Sequence, residues 1–414
     1  MNAAGPGSPA GLREANRRRV LDAVLAAGEP TQSGIAAATG LAPATVSNIV
    51  RHLVGAGSLT ATTTVRGGRR VRAVRLVAPA GYLAGVDFGH RHVRVGLARA
   101  ADTFSRSASG RPGEPAPPAD LLAERDARLP EGHGADDGLR AAEELLDGAL
   151  AEAGVGRGAL LGVGIGLPAP VDARSGSVGE PGILPGWVGV DAAARAAANL
   201  GVPVAVDNDA MLGTLAEQAW GALRGVRDAV YLKLSDGVGA GLVLDGRPYR
   251  GRSGTAGELG HVVVAEDAGG PTGGPGGTVC RCGNRGCLET WASTTTVVGL
   301  LEPLLGSPLS IAEVVARARG GHAPSRRVLA DTGGHVGRAL GGLCSLLTPA
   351  RVVVGGELAQ AGSLLIDPLH AALDRWALPG AAEGVEVVAA QLGARAHVLG
   401  AVALAGEHVL ASRG

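Results

Sequence analysis

Aromatic side chains are almost missing from this 414-residue chain: two Phe, four Trp and three Tyr make up 2% of it. Ala, Val and Leu must therefore fill its core, and the 46% hydrophobic content is enough for a sizeable one. Lysine is scarcer still. Lys233 is the only one, every other basic side chain being Arg, which reads as a coding bias with little functional information. Four cysteines are too few and too clustered for a disulfide scaffold. No run of about 20 residues is apolar without charged or Gly/Pro interruption, so no membrane span is expected. Met1 to Ala10 lacks the charged-then-apolar pattern of a secretory signal, and the expected location is the cytoplasm. Net charge is also lacking, since 38 Lys and Arg balance 38 Asp and Glu. That balance hides a split. Residues 1–80 hold ten Arg against Glu14, Asp22 and Glu29, or +7, which leaves −7 on the remainder. A basic module on an acidic body suggests a nucleic-acid surface, although charge alone would also describe a solvated arginine-rich tail.

The length suits two or three domains at roughly 150 residues each. In the first, Asn16 to Ala27 carries Val20, Leu21, Val24 and Leu25 at helical spacing. Gln32 to Thr39 is a short second helix with Ile35 and Ala38 inward, and Gly40 supplies the turn. Pro43 opens a third helix that runs to about Ala56, with Val46, Ile49, Val50 and Leu53 as its buried stripe. Ala44, Thr45, Ser47, Asn48 and Arg51 are left facing outward. Strand-like Leu59–Val65 and Val71–Val77 flank Arg66-Gly67-Gly68-Arg69-Arg70, a glycine-tipped hairpin. Three helices and a basic hairpin make a winged helix-turn-helix. Its third helix can offer short polar side chains to base edges of double-stranded operator DNA, with Arg69 and Arg70 on phosphates or in the minor groove.

Pro79-Ala80-Gly81 marks a boundary, giving a module over residues 1–80 and a body over residues 81–414. Beyond it strands and helices alternate, the pattern of α/β layers. Tyr82–Asp87, His92–Ala98, Leu160–Leu167, Val202–Val206, Ala229–Leu234 and Val352–Gly355 are strand-like. Ala141–Ala153 and most of residues 301–347 are helical. Residues 106–118 read as a loop, and low complexity is confined to Gly269–Gly277. Asp87-Phe88-Gly89 and Ser235-Asp236-Gly237-Val238-Gly239 each follow a strand in comparable halves, which predicts a duplicated two-lobe body with a cleft between.

Cys280, Cys282 and Cys287 fall within eight residues of each other. Thiolates so close, in a reducing compartment, suit a metal better than disulfides. Tetrahedral zinc needs a fourth ligand, and His261 precedes the cluster across a glycine-rich loop. A closed Cys3His site is structural. Cys344 sits in an apolar helix and reads as core. Val206-Asp207-Asn208-Asp209-Ala210 places polar groups between a strand and a helix. They can cap that helix, or Asp209 can accept a proton from a hydroxyl in a cleft. Gly237-Val238-Gly239-Ala240-Gly241 can cradle a phosphate or simply turn the chain.

From about Leu12 to Ala405 the residues resemble the ROK family (repressors, open reading frames, kinases). Gly162-Val163-Gly164-Ile165-Gly166-Leu167-Pro168-Ala169-Pro170-Val171-Asp172 resembles its first signature, followed by Leu184-Pro185-Gly186-Trp187. Gly257-Glu258-Leu259-Gly260-His261 and Cys280 through Glu289 resemble the second. The resemblance implies a two-lobed, actin-like sugar-kinase fold (ribonuclease H-like), with the winged module marking the repressor branch. It implies a carbohydrate site at Asn208, Asp209, Glu258, His261 and Glu289. His261 would hold zinc through one ring nitrogen and face the sugar with the other. In a kinase Asp209 would be the catalytic base. The chain departs from the kinases where phosphates bind. Asp87-Phe88-Gly89-His90-Arg91-His92 lacks the second Gly and the Thr of their first loop, Asp236 replaces a Thr in the second, and Ile183 stands where they often carry a sugar-binding Asn. A carboxylate at Asp236 repels a triphosphate unless magnesium intervenes.

The expectation is a repressor controlled by a carbohydrate or derivative, without ATP use, acting as a homodimer or homotetramer because paired half-sites mirror protein symmetry. The alternatives are an ATP-dependent sugar kinase that also binds DNA, and a regulator that answers only to protein partners.

Overall fold

The structure, a computed structural model, describes residues 8–66, 69–104, 113–172, 175–179, 183–264, 277–305 and 308–412. Nearly all of Gly269–Gly277, the hairpin tip Gly67-Gly68, the side chain of Arg69 and the first part of the 106–118 loop lie outside the described residues.

Helix α1 (Pro9–Ala27) begins at Pro9 rather than Asn16, because Ser8 caps it: the Ser8 hydroxyl accepts from Gly11 N at 3.0 Å. Helix α2 (Gln32–Thr39) ends on Gly40, whose φ of 65° suits glycine. Helix α3 (Pro43–Gly55) crosses it and leads into the antiparallel hairpin β1 (Leu59–Arg66) and β2 (Arg69–Leu76). Val20, Leu21, Val24, Ile35, Val46, Val50, Leu53, Leu59 and Val74 form one small core. Three side chains depart from the expected pattern. Ala38 is exposed and Thr39 buried, because Thr39 lies one turn after Ile35 and its hydroxyl donates to Ile35 O at 2.7 Å. Ile49 is only half-buried. Leu25 leaves this core and joins the cluster under the C-terminal helix.

The body repeats one topology. The first lobe holds β3 (Tyr82–Phe88), β4 (His92–Arg99), α4 (Ala100–Phe104), β5 (Leu121–Arg128), α5 (Ala135–Glu152), β6 (Leu160–Leu167), α6 (Ala192–Leu200) and β7 (Val204–Asn208). Helix α7 (Asp209–Trp220) leads to the second, with β8 (Ala229–Leu234), β9 (Val238–Leu244), β10 (Arg247–Tyr249), α8 (Glu289–Ala292), α9 (Thr294–Leu305), α10 (Ile311–Arg319), α11 (Ala323–Leu347), β11 (Arg351–Gly355), α12 (Ser363–Trp376), α13 (Pro379–Ala382) and β12 (Glu386–Ala389). The sheet orders are β5-β4-β3-β6-β7 and β10-β9-β8-β11-β12, the same winding twice. Helix α14 (Ala396–Ser412) returns to lie against β3, β6 and α7. The sequence pattern did not signal β5, β9, β10 or β12. β5 is a charged edge strand, β9 is broken by glycines, and the other two are short edges, so pairing rather than propensity makes them strands. Among the described residues no helix is long and apolar enough to cross a membrane.

Candidate functional site

The ends of β3, β7 and β8 open into a cleft of about 580 Å³ between the lobes. It is lined by all five of the residues expected for a sugar site: Asn208, Asp209, Glu258, His261 and Glu289.

The two readings of the Asn208-Asp209 pair divide between the two residues. Asn208 is the cap of α7, accepting from Ala210 N at 2.8 Å, while its amide donates to Ala169 O at 3.1 Å. Asp209 is thereby released from capping. It is 6% exposed and ion-paired with Lys233 Nζ on β8. This corrects the sequence reading of Lys233, because the sole lysine sits in the centre of the cleft. Burial alone would lower its pKa, but Asp209, Asp87 and Asp236 together raise it, so it stays charged.

Glu289 opens α8. Its Oε1 takes Arg281 Nε at 2.8 Å and its Oε2 accepts from Val238 N at 3.1 Å. Arg281 also donates to Asp236 O at 3.0 Å, and its Nη1 lies 2.9 Å from His90 Nε2 on the other lobe. Burial, then Arg281, holds His90 below its usual pKa, so the neutral ring accepts. Asp87 ends β3 beside His397 Nδ1 at 3.7 Å. Burial opposes ionisation of Asp87, yet His397 and then Lys233 outweigh it and bring its pKa down to about 2. Lys233, Arg281, Asp87 and His397 were not identified as site residues from the sequence. Arg281 had a local signal, since it lies between two cysteines; His397 had none.

The loops expected to face phosphates are occupied by side chains. Gly89 N donates to His92 O at 2.9 Å, and the His92 ring fills the space beside Gly89 where even a methyl would clash. His90 is engaged with Arg281. Asp236 Oδ1 accepts from Thr295 at 2.6 Å, and its carboxyl lies below the usual range although burial opposes this. Val238 and Gly239 belong to β9, so that glycine run is a turn into an antiparallel strand. Gly356, with φ 84°, packs on Leu234 O, where a Cβ would overlap the backbone.

Beside the cleft, His261, Cys280, Cys282 and Cys287 place their ligand atoms within 4.8 Å of one another, an arrangement that can hold a metal ion. His261 Nδ1 is 3.5 Å from Cys280 Sγ, and its Nε2 faces Glu258 Oε2 at 3.8 Å. Gly283 and Gly286, at φ 90° and 68°, bend the chain around the cluster. Cys344 is buried in α11, away from this group.

On α3, Ala44, Asn48 and Arg51 are exposed and Thr45 and Ser47 half-buried; Arg51 Nη1 donates to Asn48 Oδ1 at 3.2 Å. Arg70 is exposed on β2.

A sequence model of the ROK family matches residues 139–408. The chain is 25% identical over 410 residues to a xylose repressor of Caldicellulosiruptor bescii, covering 95% of this chain and 96% of the relative. A solved ROK family transcriptional regulator, described as a homolog of the E. coli MLC protein, superposes with a TM-score of 0.74 at 24% identity over 97% of both chains. A ROK family glucokinase from Streptomyces griseus, solved with glucose and AMPPNP, gives 0.62 at 27% identity, over 78% of this chain and 99% of its own.

Proposed function

The chain belongs to the ROK family, and on that premise we propose that it is a DNA-binding transcriptional repressor controlled by a carbohydrate or sugar derivative. One observation carries this reading. The cleft gathers Asn208, Asp209, Glu258, His261 and Glu289, side chains that suit hydroxyls, although Ile183 stands where kinases often carry Asn, while on the loop where kinases hold phosphate His90 is engaged by Arg281. The chain joins this body to a winged module that its near-full-length relatives, named as repressors, also span. We take residues 1–80 as the reader of operator DNA and residues 81–414 as the effector and oligomerisation body, a homodimer or homotetramer in the cytoplasm.

Effector hydroxyls meet Asn208, Glu258, His261 and Glu289. Zinc suits the cluster, because three thiolates and one imidazole are its usual closed donor set. His261, Cys280, Cys282 and Cys287 would hold it as a structural ion, tying down the loop that carries His261 and α8 that carries Glu289. A physical route runs from cleft to module. The first turn of α14 carries His397 in the cleft wall, and its last turn is where Arg17 of α1 donates to Ala411 O at 2.6 Å. Next to it Arg250 pairs with Asp207 at 2.8 Å and feels the charges of Glu407 and Asp22, the latter on α1. A ligand that moves the lobes thus moves the seat of the module, and by linkage DNA weakens or strengthens the ligand equally.

The test is capture of genomic fragments on the purified protein at physiological salt, repeated with a panel of sugars and sugar phosphates. A few palindromic sites, lost or gained with one sugar, are expected. Diffuse binding untouched by every sugar would overturn the reading. So would ADP release with a hexose that disappears in Asp209→Asn, since that is kinase behaviour. Within the module, Arg69→Ala with Arg70→Ala will flatten the dependence of log affinity on log salt by about 0.9 per lost phosphate contact. Asn48→Ala will instead relax preference at one base pair, by about 1–3 kcal/mol. An unchanged salt slope would remove the hairpin from the interface.

A further inference from the structure

We propose that Lys233 is a tethered cation standing in for the metal a nucleotide would bring, which makes the cleft a site for one polyhydroxyl ligand without a divalent ion. The proposal rests on the regulator reading above and deepens it. Asp87, Asp209 and Asp236 reach the cleft from three separate segments: the end of β3, the start of α7 and the turn between β8 and β9. Carboxylates gathered in one pocket either recruit a cation or repel one another. A triphosphate arrives with magnesium, which would serve that purpose. Here the ammonium of Lys233 already does. It pairs with Asp209, its charge acts on Asp87 and Asp236, and its side chain is only 13% exposed.

In register across the sheet, Lys233 is flanked by Gly239 on β9 and Gly355 on β11, two residues without side chains, and the Tyr231 ring fills the space beside Gly355. The residue type fits the task as well. This chain uses Arg at every other one of its 38 Lys and Arg positions. A guanidinium is a broad planar fork, whereas an ammonium is a compact point charge with three donors, the nearest side-chain counterpart of a metal ion. Its remaining N–H donors suit hydroxyl oxygens. Asp209 Oδ2 is held in the ion pair with Lys233.

The experiment titrates full-length, zinc-loaded protein with Mn2+, alone and with a non-hydrolysable ATP analogue, reading free Mn2+ by electron paramagnetic resonance. Wild type and Lys233→Arg are expected to leave Mn2+ free. Lys233→Met is expected to bind it at least tenfold more tightly than wild type, and adding Asp236→Asn is expected to abolish that gain. On the unaltered protein, 15N-lysine labelling gives one side-chain ammonium signal, expected to be protected from solvent exchange and to shift with the effector sugar. Wild type that binds Mn2+ as tightly as Lys233→Met overturns the proposal. A freely exchanging Lys233 signal overturns it too, and that readout stands even if Lys233→Met does not fold. A protein that excludes Mn2+ but whose operator binding ignores every sugar fails the regulator reading and not this one.

Discussion

Cys287→Ser will release the metal from the cysteine cluster and abolish effector binding before the rest of the chain unfolds. Elemental analysis should fall from one ion per chain to none, while Cys344→Ser, in the core of α11, should keep it. Structural zinc contributes roughly 10–16 kcal/mol of apparent binding free energy in small peptides. Only part of that will appear as lost global stability here, because the second lobe has its own core of Leu, Val and Ala side chains. The local loss will be severe. Cys287 N-terminally abuts Leu288 and Glu289, and His261 belongs to both cluster and cleft, so one missing ligand frees two ligand-site residues together. Protons compete for the same atoms. Burial pushes the Cys280 thiol up to about 11 and the Cys287 thiol higher still, so metal must displace their protons. Metal affinity will therefore fall as pH falls, and the stability it confers will be lost toward acid. Metal content unchanged in Cys287→Ser would remove Cys287 from the site.

Gly164→Val will be among the most damaging single substitutions in the chain. β3 and β6 meet α14 backbone to backbone through Gly85 and Gly164 on the strands, and Gly400 on α14 meets α7 in the same way. A Cβ on Gly164 would overlap Ala401 O, one on Gly85 would overlap Val398 O, and one on Gly400 would overlap Leu212 O. These obstacles are backbone atoms that cannot rotate away. Overpacking typically costs about 1–3 kcal/mol and more when the backbone itself must shift, against a total stability of about 5–15 kcal/mol. Calorimetry should show a melting transition many degrees lower, with operator binding weakened because α14 also seats α1. The matched control is Gly342→Ala, exposed within α11 with nothing within 4 Å of the new methyl. It removes a helix-interior glycine and should stabilise by about 0.5–1 kcal/mol. Equal melting temperatures for Gly164→Val and wild type would mean that the seam is not as tight as described.

Much of the site was legible because its signals are local. The cysteines and His261 carry their chemistry in their spacing, and Asn208-Asp209 sit where a strand passes into a helix. The winged module was legible for the same reason: Gly40, Pro43 and the hairpin glycines are short-range instructions, and the helix stripes follow from periodicity. Ala38 faces outward where Thr39 is buried, because a short stripe does not say which of two neighbours will be covered. Lys233 was read as a trace of composition. No pattern along the chain brings position 233 to position 209, or joins either to Asp87 across two crossovers.

By itself, then, the sequence determined the winged module, the duplicated α/β body, the metal-type cluster and which residues line a sugar-sized cleft, since these follow from residue type and short spacing. Only the tertiary structure decided the state of that cleft. Arg281 holds Glu289 and reaches His90 on the opposite lobe, and the one lysine pairs with Asp209. The Arg281–His90 and Asp209–Lys233 pairs join segments that only the closing of the sheets brings together, and such a contact depends on distance in space, which the order of residues does not record.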